Sequence, residues 1–501
     1  MGRKEAKVYF NLFGVGIVAF WLFMIGWLVK ERHFQANGHA GDHNRTPISI
    51  DSVQREWREI FLEGDKVGYS THMIKPFGER YFIQEEIVLR LNLMGSGSGL
   101  YTLTQCWVDG EFLLESFNVI MVSGVVRSSI SGRVEDSVLV VETGGREDKR
   151  IQKIRLKERP IIGASLSQFF KSRKLHVGEV FRFPLFDPSV MAQKEVVVSV
   201  TGKERLRIQK ITYDAFRLEA EMWGKKLTFW LDEAGSTLKE EGFMGLTTIR
   251  SSAARAPEGL ERAGGTDIYE LVAIEPDRRL PDPTRLIYLR LEVEGLDQAG
   301  FAPALLTGGR QRLQDGVLEI RRETLPSHEA YRRPYTDSAP DMSVFLEPEF
   351  NIESDDPEIV AKAREISGAD RNPVSVAQRL TNWVFRNIEK KPVLAMPSAR
   401  EALRTRVGDC NEHATLLAAL LRASGVPARL SIGLVYTREK FYYHAWTEAY
   451  LGEWISMDAT LNQMPADASH IKLVEGNLDK QMEIAGLFGE LKVKVIDFQH
   501  D

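Results

Sequence analysis

The run Gly408-Asp409-Cys410-Asn411-Glu412-His413-Ala414 decides how the C-terminal part of the chain reads, because it sets one of only two cysteines at the start of a helix. From Asn411 to Ala423 the apolar residues Ala414, Leu416, Leu417, Ala418, Leu420 and Leu421 occur nearly all round, so this helix is expected to be buried. Gly425 and Pro427 follow as stop signals. A cysteine at such an N-terminus faces unpaired N–H groups and the positive end of the helix dipole, which favour a thiolate. The same N–H groups suit a tetrahedral oxyanion. An inert, buried cysteine is expected in mid-helix instead, among the leucines.

Beyond Pro427, Leu430, Ile432 and Leu434 alternate as one face of a strand that ends near Tyr436. Phe441 to Tyr450 and Glu453 to Thr460 read as two further strands joined by a tight turn at Leu451-Gly452. That turn places residue 444 opposite residue 458, 459 or 460. Opposed residues on an antiparallel pair share a face, with Cβ atoms about 5 Å apart. His444 and Asp458 are therefore expected to touch. Singly, each residue has an ordinary reading: a packed His, a turn Asp, a small hydrophobic Cys. Together, thiol, imidazole and carboxylate are the parts of a nucleophile triad. Glu412 and His413 also lie near the thiol, but on its own helix, so the base is assigned to the facing sheet.

These residues carry a resemblance. Ser398-Ala399, Gly408-Asp409-Cys410, Arg422 to Arg429, His444-Ala445-Trp446 and Asp458-Ala459-Thr460 together resemble the transglutaminase-like superfamily over about residues 340 to 475. The resemblance implies a papain-like α+β core with Cys410 as nucleophile, His444 as general base and Asp458 as its orienting partner. It also implies an upstream aromatic that assists the oxyanion, for which Trp383 is the nearest candidate. No calcium loop of the animal transglutaminase kind is present, so no calcium dependence is implied.

At the other end, Val8 to Val29 is a 22-residue apolar run interrupted only by Asn11. At about 1.5 Å per residue it is long enough to cross roughly 30 Å of hydrocarbon. Trp27-Leu28-Val29-Lys30-Glu31-Arg32 follows in place of a small-residue cleavage site, so the run reads as an uncleaved anchor. The short N-terminus favours a single pass through a bacterial inner membrane, with the catalytic part periplasmic or extracellular. A net charge of −5 spread over 501 residues argues against a nucleic-acid surface. Two cysteines make no disulfide framework, and Cys106 sits in a strand-like segment where a packed thiol is expected. No metal-ligand spacing stands out, no cofactor motif occurs, and His33, His39 and His43 read as part of a solvated tether.

Between anchor and triad, a succession of strand-sized segments from Ile48 to about Arg250 is punctuated by Gly110, Gly124, Gly132, Gly144-Gly145 and Gly202, the pattern of a large antiparallel sheet. One helix is expected near Ser165 to Lys174. The organisation is read as a cytoplasmic tip and anchor (1–32), a tether (33–47), a β-sheet domain (48–250), a Pro- and Gly-rich linker (251–283), a small β unit (284–339) and the catalytic domain (340–501). The fold class is thus α+β, with an N-terminal transmembrane helix, a large antiparallel β domain, a small β unit and a papain-like core. The expected function is a membrane-anchored thiol enzyme attacking amide bonds of a peptide or protein substrate through a thioester. Water is favoured as acceptor over a lysine amine, since an enzyme tethered facing water meets no obvious amine donor. The alternatives are a crosslinking transglutaminase and a binding or structural envelope protein with a vestigial triad.

Overall fold

The computed structural model of the chain describes residues 52–501 apart from 145–148, 223, 263–264, 297–305, 327–329, 337–340, 395, 477–479 and 481. Between Gln54 and Ser251, fifteen strands form one sheet. Period-two patterning buries one face of each strand. In Ala192–Ile208, for example, Val196, Val198 and Val200 are buried between more exposed neighbours. Antiparallel pairing of Gln54–Leu62 with Leu246–Ser251 joins two meanders into one sheet. One meander runs outward to Arg150–Arg155. The other runs to Val180–Asp187, against which Ile161–Ile162 pairs in parallel.

The two ends of this sheet are close in sequence. Only residues 156–160 separate Arg150–Arg155 from Ile161–Ile162, a stretch spanning at most about 18 Å when extended. A flat sheet of this size would hold its ends about 65 Å apart at about 4.8 Å per strand. The sheet must therefore curl until its ends nearly meet, giving a barrel-like wall with a seam. Gln193 ties the connecting stretch down, accepting from Lys157 N at 3.2 Å and donating to the Glu158 carbonyl at 2.9 Å. The helix Gly163–Lys171 follows the seam. The Ala164 carbonyl meets His72 Nε2 at 2.8 Å, and Lys171 pairs with Glu56 at 2.5 Å.

This architecture corrects the expected α+β class. Strands hold 49% of the described residues and helices 18%, because individual strands of the large sheet run to thirteen, fourteen and seventeen residues. The chain is mostly β. The N-terminal transmembrane helix expected over Val8 to Val29 is not supported either. It lies outside the described residues, and among those no helix is long and apolar enough to cross a membrane. The longest of the α-helices described, Pro373–Asn387, has 15 residues, about 22 Å of rise.

The stretch expected as a linker contains the helix Ile268–Val272 and bridges both halves. Its N-cap Asp267 accepts from Gly95 N at 2.7 Å, and Glu270 accepts from Tyr442 Oη at 2.5 Å. Leu286–Glu294, Gln311–Gln314 and Val317–Arg321 form a small sheet that the last strand of the chain, Lys492–His500, completes. Helices then begin at Pro357–Ser367, with Asp356 as N-cap and Pro at the first position, and continue through Pro373–Asn387, Ala399–Thr405 and Cys410–Ala423. They pack on a four-stranded sheet in the order Trp454–Met457, Lys440–Tyr450, Ala428–Thr437, Ile471–Glu475. One apolar core unites the small sheet with this unit, joining Leu289, Ile320 and Val495 to Val384, Leu417 and Ile432. The large sheet touches the segment leading to Cys410. Leu394 N donates to Ser123 Oγ at 3.1 Å, and Met396 is buried with Ile83, Phe117 and Phe186.

Candidate active site

Asp409 caps the Cys410–Ala423 helix, accepting from Asn411 N at 2.8 Å, and Glu412 closes a capping box by accepting from Asp409 N at 2.8 Å. Cys410 thereby occupies the first helical position, partly buried. Thr447 Oγ1 donates to the Ala414 carbonyl at 2.9 Å, binding the helix to the strand Lys440–Tyr450. The N–H of Ala445 on that strand faces the sulfur and favours its thiolate. Other influences oppose the expected activation. Burial first, then the carboxylates of Asp409 and Glu412, push the thiol well above its ordinary range. The cap adds to the effect of burial: Asp409 takes up the Asn411 N–H and sets its own negative charge against the positive end of the helix beside the sulfur. Glu412 is pushed up in turn, by burial first and then by Asp409. Tyr269 Oη reaches Asp409 at 3.3 Å from the helix that bridges the two halves.

The hairpin sets the rest. Thr447 lies opposite Met457 and Tyr450 opposite Trp454, a register that leaves Asp458 just beyond the paired strand, diagonal to His444. Asp458 Oδ2 meets His444 Nε2 at 2.7 Å, and Oδ1 accepts from Thr460 N at 2.7 Å and Leu461 N at 3.0 Å. Asp458 is fully buried. Burial acts to raise its pKa, but His444 and His470 outweigh this and hold it well below the usual carboxylate range. Nε2 of His444 is thus turned to Asp458, which leaves Nδ1 as its other ring nitrogen. Opposite His444 stands Gly433, where an added Cβ would lie 1.8 Å from the Ile471 carbonyl oxygen. Only glycine lets the strand Ile471–Glu475 approach this closely beside His444.

Sequence reasoning missed His470. Fully buried, it places Nε2 3.0 Å from Asp458 Oδ2 and Nδ1 3.2 Å from Asp467 Oδ1. Burial opposes its charge, but Asp467 and Asp458 overcome that and raise it to about 9. Both ring nitrogens thus donate, and an imidazolium sits between two carboxylates. Asp467 is held by Ser469 N and Oγ at 2.8 and 2.6 Å and by Gln463 Nε2 at 2.7 Å. The available signal was an Asp and a His three residues apart, immediately before the apolar strand Ile471–Glu475. The donor atoms of His444, Asp458 and His470 lie within 4.8 Å of one another, a spacing that a metal ion could also use. Here both imidazoles instead bond to one carboxylate oxygen, an arrangement suited to proton sharing.

Around Trp383, the oxyanion candidate, Arg406 lies 4.6 Å and Lys362 5.5 Å from the ring centroid. Trp446 is stacked on His444 with centroids 6.4 Å apart and edge-on to His470 at 5.2 Å. Cys106 is 1% exposed, and burial drives its thiol far above the ordinary range. Brief iodoacetamide treatment of the folded chain is accordingly expected to alkylate Cys410 and spare Cys106. Mass spectrometry reads the order, and preferential alkylation of Cys106 would reverse the assignment.

The description Transglutaminase-like superfamily belongs to the family model that matches residues 360–459. No curated protein sequence matches the chain. Solved structures similar to it include a candidate cysteine protease of Cytophaga hutchinsonii, at 24% identity and a TM-score of 0.26, covering 37% of this chain and 63% of that one. The chain therefore spans less than two thirds of that protein's length. A β-barrel-like protein of a domain of unknown function from Brucella abortus matches at 12% identity and a TM-score of 0.30, over 39% of this chain and 94% of that one. The periplasmic domain of TgpA from Pseudomonas aeruginosa, bound to ethylmercury, matches at 20% identity and a TM-score of 0.23, over 38% of this chain and 89% of that one. Residues 360–459, which hold Cys410, His444 and Asp458, are a core of the transglutaminase-like superfamily.

Proposed function

We propose that the chain is a cysteine-dependent hydrolase of amide bonds in peptides or proteins, working through a thioester on Cys410. One observation carries the reading. Asp458 holds His444 Nε2 at 2.7 Å on the strand whose next residue, Ala445, turns its N–H to the Cys410 sulfur. Because the resting thiol is pushed up by its surroundings, its proton passes to His444 Nδ1 as the carbonyl approaches, and Asp458 stabilises the imidazolium that forms. The sulfur bonds to the carbonyl carbon, the C–N bond breaks, and the imidazolium gives its proton to the leaving amine. Water, deprotonated by the same imidazole, then cleaves the thioester and frees the carboxylic acid and the thiol.

The deciding experiment is peptide-library digestion run beside incorporation of a primary-amine dye into protein, comparing wild type with Cys410→Ala. New peptide termini in the wild type alone, without dye uptake, are the expected result. Cysteine-dependent dye uptake would reassign the enzyme to crosslinking, and silence in both assays would leave the triad vestigial.

A further inference from the structure

The chain between the strands Trp454–Met457 and Ile471–Glu475 carries Asp458, Asp467 and His470, yet residues 458–470 belong to neither a helix nor a strand. Their backbone has no ladder to rely on, and each buried N–H and C=O needs another partner. Part of that need is met within the stretch, where Asp458 and Gln463 exchange both backbone bonds at 2.9 Å. Further partners come from outside the catalytic sheet.

They are side chains of the small sheet. Arg310 and Gln311 stand where the hairpin of Gln311–Gln314 and Val317–Arg321 opens, and Glu323 follows its second strand. Arg310 is buried. Its Nη1 donates to Ser456 Oγ at 2.5 Å, and its Nη2 donates to the carbonyls of Ala466 and Asp467 at 3.0 and 2.5 Å. Glu323 accepts from Ser456 N at 3.0 Å and lies 3.2 Å from Arg310 Nη1. Gln311 donates to the Lys472 carbonyl at 2.6 Å and accepts from Lys472 N at 2.9 Å, as a neighbouring peptide group would. The stretch is thus gripped two residues before Asp458, at Asp467 itself and two residues after His470. A guanidinium suits this task, because its planar fork holds several acceptors at fixed angles.

We infer that Arg310 is a positioning residue of the triad: by gripping Ser456 and Asp467 at once, it holds Asp458 where it orients His444 and Asp467 where it holds His470. The small sheet is then part of the catalytic apparatus rather than a spacer. This deepens the hydrolase reading, on which its consequence for turnover rests. A catalytic group must be held to within about 0.5 Å, and a displacement of about 1 Å lowers turnover by about a hundredfold. A stretch without regular structure needs an outside grip to meet that tolerance.

Arg310→Lys in the full chain keeps the charge beside Glu323 but offers one nitrogen where the guanidinium uses two. On a peptide cleaved in the library digestion it is expected to lower kcat by about 10- to 100-fold and leave KM unchanged. Referring kcat to the folded fraction, read by circular dichroism, removes the effect of a mere loss of stability. Hydrogen exchange is expected to quicken at the amides of residues 458–466 and to stay as in the wild type across the large sheet. Ser456→Ala removes a hydroxyl and no charge; it is expected to act in the same direction and keeps the test decisive if the lysine variant does not fold. Unchanged kcat in the folded variants, or exchange that is unaltered or quickens evenly along the chain, would overturn the assignment. If the wild type cleaves no peptide, the hydrolase reading fails, while exchange still decides whether Arg310 holds the Asp458 stretch: quickening confined to 458–466 supports the grip, and any other pattern removes it.

Discussion

Asp458→Asn is expected to lower turnover by about 10⁴-fold while the chain stays folded, the scale on which the equivalent change acts in serine triads. The hydrogen bonds dictate why. Oδ1 of Asp458 accepts from Thr460 N and Leu461 N, so the oxygen of an asparagine must stay there. Its NH₂ then replaces Oδ2 and faces His444 Nε2 as a donor where an acceptor stood. His444 can meet it only by giving up the proton on Nε2 and carrying one on Nδ1, the nitrogen that must receive the thiol proton. The base is present but in the wrong tautomer. His470 also loses one of its two carboxylates, so a stability loss of about 1–3 kcal/mol accompanies the change. Turnover, thiol alkylation and urea unfolding on the same preparation separate the two effects. His444→Ala should be at least as damaging, since it removes the base itself. Near-normal turnover in a folded Asp458→Asn would show that Asp458 does not orient the base.

The pairing of His444 with Asp458 was legible because a hairpin converts sequence separation into distance. The hairpin itself differs in detail: the connection is three residues, Leu451 to Glu453, and the second strand stops at Met457. That difference leaves Asp458 one diagonal from His444, within the range of registers the turn allowed. The chemistry of the thiol was less legible, although Asp409 and Glu412 stood in view at capping-box spacing. A cap that stabilises the helix also opposes the field expected to activate the cysteine, and only the side-chain geometry shows which role the carboxylate takes. His470 could not be placed, because it returns to the triad across an irregular stretch that no period describes. Strands of the large sheet were readable from alternation. Their closure was not, since it depends on strand order, and strand order is a property of pairing rather than of any one segment. Trp446 reaches His444 because it lies two residues away on the same face of a strand.

His470 yields the second large expectation: the chain loses about 3 kcal/mol of stability between pH 6.5 and pH 9, and His470→Gln abolishes that slope. Burial alone would keep this imidazole neutral, but Asp467 and Asp458 raise it from 6.5 to about 9. A raised value means that the folded chain holds the proton more tightly than the unfolded one. The stabilisation is therefore complete below pH 6.5 and disappears as the pH climbs through 9. Its size follows because each tenfold gain in proton affinity on folding is worth about 1.4 kcal/mol. Asp458 and Asp467 are both held below the usual range, so their contributions are lost only on the acid side, and the two limbs do not overlap. Urea midpoints measured across this range read the alkaline limb directly. A second readout distinguishes tuning of the triad from simple packing. His470 shares Asp458 Oδ2 with His444, so kcat/KM in a folded His470→Gln should fall below the wild-type value. A flat stability profile in the wild type would mean that His470 is neutral, and an unchanged kcat/KM in the variant would reduce it to a packing residue.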